Sequence, residues 1–179
     1  FSAQADLPAL QSNLEHLGKL LGAEGRASKL FQAYQQQLDQ QKVRVTQAQL
    51  SQPSPGVLVL IGHAGGKPLI AGKDTSADWL LQRAGGHNLA THTGYKPFSV
   101  ESLISLDPEV LVFADRALSG EEARAALFKE NPILSSTRAA KDGRVIELDP
   151  TLLVGGLGPR LPDELKKLSD GFFPGTAKQ

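Results

Sequence analysis

The side chains best suited to chemistry follow two apolar segments of the chain. His63 comes just after residues 57–61, and Arg116 follows residues 110–113. A neutral imidazole can ligate a metal, and a guanidinium can form paired hydrogen bonds with a carboxylate. If the two segments are neighbouring parallel strands, both side chains lie at their carboxyl edge, where open α/β sheets bind ligands.

His63 has two interpretations, both set by its glycine-rich loop, Gly62-His63-Ala64-Gly65-Gly66-Lys67. It is a loop histidine bonded to a backbone carbonyl, or a ligand of a metal or haem iron. The loop is not a phosphate-binding loop, because Ile61 stands where that motif needs glycine and neither Ser nor Thr follows Lys67. There is also no Gly-x-Ser-x-Gly motif, so an enzyme with His63 as general base is the weaker alternative.

Two further histidines lie in a predicted loop region. His87 and His92 could complete a three-histidine metal site with His63. Nothing in the spacing places the three on one face, and no carboxylate stands between them at a ligand-like distance. Solvated loop histidines are therefore the preferred interpretation.

Arg116 and Glu101 also have ordinary structural explanations. Arg116 could pair with Asp115 or Glu121 at the protein surface. Glu101 lies in the first turn of a predicted helix that begins at Ser99, where the helix dipole favours an acidic side chain.

Helical patterns occupy the first part of the chain. Leucines three and four residues apart predict a helix over residues 3–22, and residues 24–49 form a second, longer helical stretch rich in glutamine. Its apolar stripe thins after Leu38, so we expect its far half to be solvated. Residues 1–52 are interpreted as a helical arm outside the core of the following domain.

The pattern changes after the Pro- and Gly-rich residues 51–56. Short apolar strands now alternate with helices, which predicts an α/β fold with a mostly parallel sheet covered by helices on both faces. This unit is assigned to residues 56–174. The predicted strands are 57–61, 109–113 and 144–148, and the predicted helices are 74–84, 99–106, 121–129 and 162–169.

Composition narrows the functional classes. The 179 residues contain 19 Lys+Arg, 19 Asp+Glu and no cysteine. The balanced charge argues against a general nucleic-acid binder, and the lack of cysteine excludes disulfides and cysteine-based zinc sites. The chain begins at Phe1 without an initiator methionine, which we interpret as a mature protein or a piece of a longer one.

Several segments together resemble the carboxyl-terminal lobe of periplasmic haem-binding proteins, which serve bacterial haem-uptake ABC transporters. They are Gly62-His63-Ala64-Gly65-Gly66, Ala71-Gly72-Lys73-Asp74-Thr75, Ala84-Gly85-Gly86-His87-Asn88, Gly94-Tyr95-Lys96-Pro97-Phe98-Ser99-Val100-Glu101-Ser102-Leu103, Leu106-Asp107-Pro108-Glu109-Val110-Leu111-Val112 and Leu157-Gly158-Pro159-Arg160. The resemblance implies two lobes joined by a long helix, matched here by residues 24–49, with the amino-terminal lobe absent from this chain.

The resemblance also implies roles for individual residues. His63 matches a position from which some relatives offer a histidine to the iron, and Arg116 matches a cleft-edge position suited to a haem propionate or to a tyrosinate ligand. Glu101 matches the acidic residue that docks a lobe onto the membrane permease. The further candidate haem-binding residues are Tyr95, Lys96, Gly65 and Gly66.

The implied function is that of a non-enzymatic periplasmic carrier. It would receive haem from an outer-membrane receptor system and deliver it to an inner-membrane ABC permease. A siderophore- or corrinoid-binding protein of the same fold remains the main alternative, and a small α/β enzyme that uses His63 remains a weaker one.

Overall fold

A computed structural model describes residues 7–62, 68–97, 99, 103, 105–155 and 158–175. Two helices come first, followed by a unit in which strands and helices alternate. Among the helices of these ranges, none combines the length and apolar character needed to cross a bilayer. The helices are α1 (Leu7–Leu20), α2 (Glu24–Gln49), α3 (Ser76–Arg83), α4 (Gly120–Glu130), a 3₁₀ helix (Pro132–Ser136), α5 (Arg138–Lys141), α6 (Leu152–Gly155) and α7 (Leu161–Phe172); the strands are β1 (Gly56–Ile61), β2 (Leu69–Ala71), β3 (His87–Asn88), β4 (Tyr95–Pro97), β5 (Val110–Ala114) and β6 (Val145–Glu147).

One mixed sheet organises the α/β unit, with strand order β4-β2-β1-β5-β6. Its centre is parallel: β1 pairs with β5 and β5 pairs with β6 in the same direction. On the other side of β1, β3 pairs in parallel near its start and β2 pairs antiparallel near its end. The expected mostly parallel α/β sheet is therefore confirmed, with an antiparallel β2–β4 ribbon at one edge.

Alternating side chains of the strands build a core on each face of the sheet. One face carries Val57, Val59, Val110 and Val112, which pack with α2, α3 and α7. The other carries the intervening residues, such as Leu58 and Leu111, which pack with side chains of α4, the 3₁₀ helix and α5. Burial on both faces explains why these strands are continuously apolar.

Helix α2 belongs to the first of these cores, which the sequence pattern did not predict. Its buried residues lie three and four positions apart from Tyr34 to the end of the helix: Tyr34, Leu38, Gln41, Val45 and Ala48. The expectation of a solvated far half outside the core is wrong. The stripe looked interrupted because Gln41 is polar, but its amide is buried and hydrogen-bonded to the Leu165 carbonyl and to Ser169 Oγ.

The short strands β2 and β4 were also absent from the sequence-based prediction. Ile61 pairs with Leu69, so β1 and β2 form a hairpin, and the loop that contains His63 connects these two strands. Strands of three residues carry too little hydrophobic alternation to be recognised in a sequence. The described residues of the predicted 99–106 helix agree with helix, since Leu103 N donates to the Ser99 carbonyl and Asp107 N to the Leu103 carbonyl.

Candidate functional site

The carboxyl ends of β1 and β5 lie side by side, which meets the condition for placing the residues that follow these strands at one edge of the sheet. Ile61 is in register with Ala114, and Gly62 N donates to the Ala114 carbonyl at 2.8 Å. A Cβ atom at Gly62 would collide with Asp115 Oδ2. Glycine at this position therefore lets the Asp115 carboxylate approach the backbone directly beside the start of the hairpin loop.

Asp115 shapes the turn that carries Arg116. Its Oδ1 accepts hydrogen bonds from Ala117 N at 2.7 Å and from Leu118 N at 3.0 Å. This arrangement uses the carboxylate to satisfy backbone donors, as short polar side chains commonly do in turns. Arg116 is left exposed at the sheet edge, and it takes part in none of the ion pairs found among the described residues.

The same edge continues at β6. Glu147 Oε2 accepts a hydrogen bond at 2.9 Å from the backbone N–H of Gly120, the first residue of α4. An acidic side chain at a helix N-terminus satisfies a free donor and complements the helix dipole. Asp115 and Arg116 therefore follow β5 directly, and Glu147 is the last residue of the adjacent strand β6.

A third group lies beyond β6, around the short helix α6. Asp149 Oδ1 accepts from Thr151 N at 2.9 Å and from Thr151 Oγ1 at 2.7 Å, while Arg160 Nη1 lies 2.9 Å from Asp149 Oδ2. Arg160 Nη2 also donates to Thr151 Oγ1 at 2.9 Å. The two Thr151 bonds, with Arg160 adding to them, hold the pKa of Asp149 below its usual range. Sequence reasoning missed this cluster, because its members are separated by a helix.

Tyr95 and Lys96 lie on β4, at the lateral edge of the sheet. Tyr95 pairs with Ala71 and Lys96 with Ile70, so the two side chains lie on opposite faces. Both are exposed. Burial of part of the ring raises the pKa of Tyr95, and a hydrogen bond with Thr75 acts in the opposite direction. Tyr95 thus belongs to an edge strand and contacts the residue that caps α3.

A buried polar network holds the β2–β4 ribbon against α3. Asn88 Nδ2 donates to Asp78 Oδ1 at 2.9 Å and to the Ala71 carbonyl at 3.2 Å, and Asn88 Oδ1 accepts from Ala90 N at 3.0 Å. Thr75 Oγ1 caps α3 by accepting from Asp78 N at 3.1 Å and donates to the Gly72 carbonyl at 2.8 Å. This network connects the end of β2 and strand β3 to the start of α3.

The histidines do not converge on a shared centre in the part of the chain that is described. His87 pairs with Gly56 at the amino end of β1, opposite to the end that leads into His63. His92 Nε2 lies 3.3 Å from the Ile70 carbonyl, to which it donates. No group of three metal-ligating side chains occurs among the described residues. The candidates His63, Gly65, Gly66 and Glu101 lie outside those residues.

Known proteins resemble this chain in sequence and in structure. It is 58% identical to a periplasmic heme binding protein from Pseudomonas aeruginosa, whose crystal structure it matches with a TM-score of 0.85 over 97% of this chain and 62% of that one. It is 26% identical to an uncharacterized ABC transporter substrate-binding lipoprotein, YvrC, from Bacillus subtilis, over 93% of this chain and 51% of the relative. It is 27% identical to a cobalamin-binding protein from Halobacterium salinarum, over 59% of this chain and 30% of the relative.

These matches define both the family and the extent of the likeness. The chain spans about half the length of the Bacillus relative and under two thirds of the Pseudomonas structure. A family model described as periplasmic binding protein matches residues 3–152, which includes both initial helices and every strand of the described sheet. The chain therefore belongs to the periplasmic binding protein family, whose members bind substrates for transport and are not a family of enzymes.

Proposed function

We propose that this chain forms part of a periplasmic carrier that binds haem and delivers it to an inner-membrane ABC permease. The observation that carries the proposal is the 58% identity to the Pseudomonas periplasmic heme binding protein across 97% of the chain. The carboxyl edge of the sheet is the surface at which an open α/β sheet receives a ligand. A carrier needs no catalytic residues, and we assign none.

Within this proposal, α2 connects the lobe of residues 56–174 to a further, amino-terminal lobe. This chain covers only 62% of the Pseudomonas structure, which supports such a further lobe. Exposed leucines near the junction of α1 and α2 also support it, because large apolar side chains clustered on a surface favour contact with another body. These leucines are Leu17, Leu20, Leu21 and Leu30.

The proposed haem-contacting residues have distinct chemical roles. His63 would ligate the iron through a neutral imidazole. Arg116, which is exposed and at the edge next to β1, would pair with a propionate. Tyr95 and Lys96 would contact the ligand from β4, with Gly65 and Gly66 allowing close approach of the loop backbone.

Glu101 is the proposed contact with the permease. Glu101→Ala should leave haem affinity unchanged and reduce haem transport by the permease reconstituted in vesicles. Glu130→Ala, which alters an exposed glutamate at the end of α4, is the matched control. Equal transport by wild type and Glu101→Ala would remove the docking role. An outer-membrane receptor system is proposed as the source of the haem.

Haemin titration followed by the Soret band tests the central proposal. We expect a shifted Soret band with the 179-residue chain and a higher affinity in a two-lobed form, because a single lobe leaves one porphyrin face solvated. His63→Ala should change the band position if the imidazole ligates iron. Haem binding would be refuted if neither the wild-type chain nor the two-lobed form changed the Soret band.

A corrinoid is the second candidate ligand, favoured by the similarity to the Halobacterium cobalamin-binding protein. Cobalamin and haemin can be compared by direct competition, with haemin displacement read from the Soret band. We expect a large excess of cobalamin to leave bound haemin in place. Displacement at equimolar cobalamin, or cobalamin binding without haemin binding, would favour the corrinoid assignment.

A further inference from the structure

The short helix α6 places one apolar side chain in solvent beside the charged edge of the sheet. The helix begins five residues after the last residue of β6. Leu152 is buried in the core and Leu153 packs against it, whereas Val154 is 65% exposed. The two leucines therefore anchor the turn, and the anchored turn presents Val154 outward. Exposure of an apolar side chain costs hydrophobic free energy that burial against a ligand would recover.

The Asp149 cluster holds this turn in place from both sides. Asp149 and Thr151 precede α6, and Arg160 directly precedes α7. Arg160 contacts both residues, at 2.9 Å from Asp149 Oδ2 and 2.9 Å from Thr151 Oγ1. The Tyr34 hydroxyl donates to the Gly158 carbonyl at 3.2 Å, which adds an attachment to α2.

The Asp149 cluster adds little to the free energy of unfolding, because the Arg160 side chain is 64% exposed. Exposed ion pairs contribute about 0–1 kcal/mol. The two contacts of Arg160 instead fix the distance between the segment that precedes α6 and the segment that leads into α7. A planar guanidinium suits that task, since one fork contacts two oxygen atoms at once.

We propose that Val154 is an apolar contact for the bound ligand and that Arg160 is the residue that positions it. This inference rests on the proposed haem-binding function. Haem has two extended apolar faces and a charged propionate edge. Val154, on the helix that follows β6, would contact an apolar face, and Arg116, which follows the adjacent strand β5, would pair with a propionate. Small-ligand sites commonly combine an apolar lining with a few oriented polar groups.

Val154→Asp tests the contact in the 179-residue chain. Haemin affinity should fall about tenfold, which corresponds to about 1.4 kcal/mol. Val154→Leu should retain the affinity, because it preserves an apolar surface. Val43→Asp is the matched control, since Val43 is a 55% exposed valine on α2, and it should leave the affinity unchanged. Thermal unfolding of each variant separates loss of fold from loss of contact.

Arg160→Ala tests the positioning role with the same titration. We expect a three- to tenfold loss of haemin affinity with a melting temperature close to wild type. Arg160→Lys should recover only a minor part of the affinity, because it keeps the charge beside Asp149 but cannot contact Asp149 and Thr151 at once. Arg138→Ala is the control: it removes another exposed arginine that pairs with two carboxylates, those of Asp107 and Glu109. It should not change haemin affinity.

The outcomes separate the inference from the proposed function. Wild-type haemin binding with unchanged affinity in folded Val154→Asp would overturn the contact and leave haem binding intact. An equal loss in Val43→Asp would also overturn it, because the effect would then follow from added charge alone. Unchanged affinity in Arg160→Ala would overturn the positioning role. Failure of the wild-type chain and of the two-lobed form to bind haemin would refute the proposed function and the inference with it.

Discussion

Gln41 of α2 donates its side-chain amide to Ser169 Oγ of α7 at 2.6 Å, in a buried contact between residues 128 positions apart. The same amide donates to the Leu165 carbonyl at 3.1 Å. One turn further along α2, Arg44 forms an ion pair with Asp170 at 2.8 Å. These contacts make α2, from Tyr34 to Ala48, part of the core of the α/β unit.

Gln41→Ala is expected to destabilise the chain by about 1–3 kcal/mol, because it removes two buried hydrogen bonds and leaves a cavity. Urea unfolding followed by Trp79 fluorescence measures the free energy of unfolding. Gln40→Ala, at the exposed neighbouring position, should change it by less than about 0.5 kcal/mol. Similar values for the two variants would contradict a stabilising role for the buried amide.

The raised pKa of Tyr34 predicts that the free energy of unfolding falls at alkaline pH. Burial raises the pKa of Tyr34 from 10.0 to about 12. The folded chain therefore retains the phenol proton that the unfolded chain has already lost. This contribution to stability is complete below pH 10 and is lost as the pH rises towards about 12.

Tyr34→Phe should therefore flatten the dependence of stability on pH across this interval. The measurement is the free energy of unfolding at several pH values between 10 and 12, with the wild type and Tyr95→Phe in parallel. The three chains differ only at these tyrosines, so the difference between their stability profiles isolates each tyrosine. A wild-type slope equal to that of Tyr34→Phe would contradict the raised pKa.

Gly72→Ala should destabilise the β2–β4 ribbon, because the added Cβ would collide with the His92 carbonyl oxygen. Lys73 N donates to this same carbonyl at 2.7 Å, so the backbone cannot move away without loss of that bond. Gly25→Ala is the matched control: it lies within α2 and has open space around its Cβ position.

The two substitutions should change the free energy of unfolding in opposite directions. Gly25→Ala should stabilise the chain by up to about 1 kcal/mol, since alanine favours helix over glycine. Gly72→Ala should lower the free energy of unfolding by about 1–3 kcal/mol. Chemical denaturation measures both, and a neutral Gly72→Ala would show that the ribbon accommodates the methyl group.

Arg116→Ala tests the charge at the carboxyl edge under the proposed function. Arg116 is exposed and forms no ion pair with any described residue, so its loss should leave the melting temperature unchanged. Haemin affinity should fall about tenfold through loss of a propionate contact. Arg26→Ala, which removes an exposed arginine of α2, should have no effect on affinity. Equal affinity for Arg116→Ala and wild type would remove Arg116 from the site.

Local sequence patterns accounted for much of the fold. The long helix of residues 24–49 was predicted with the bounds that α2 has, and the three central strands were placed within one or two residues. The helix predicted over residues 74–84 contains α3, and Thr75 caps it by accepting the Asp78 N–H. These features depend on neighbours in the chain, because periodicity, caps and breakers act within a few residues.

The carboxyl-edge positions of the candidate residues were predicted conditionally. Arg116 had to follow a strand, and its place beside the end of β1 required that β1 and β5 be neighbours, which the register of Ile61 with Ala114 shows. The roles of His63, Arg116, Tyr95 and Glu101 in binding stay predictions.

Residues distant in the chain gained their roles only from the tertiary structure. In the sequence Gln41 interrupts an apolar stripe, and only its partners on α7 explain its burial. Asp149 and Arg160 lie on either side of α6, and no local pattern in the sequence links them. Local sequence patterns determined the initial helices and the three central strands, and the motifs indicated the family. Only the tertiary structure decided which polar groups are buried together. Burial of a polar group costs desolvation free energy, which is offset only where a distant partner completes its hydrogen bonds.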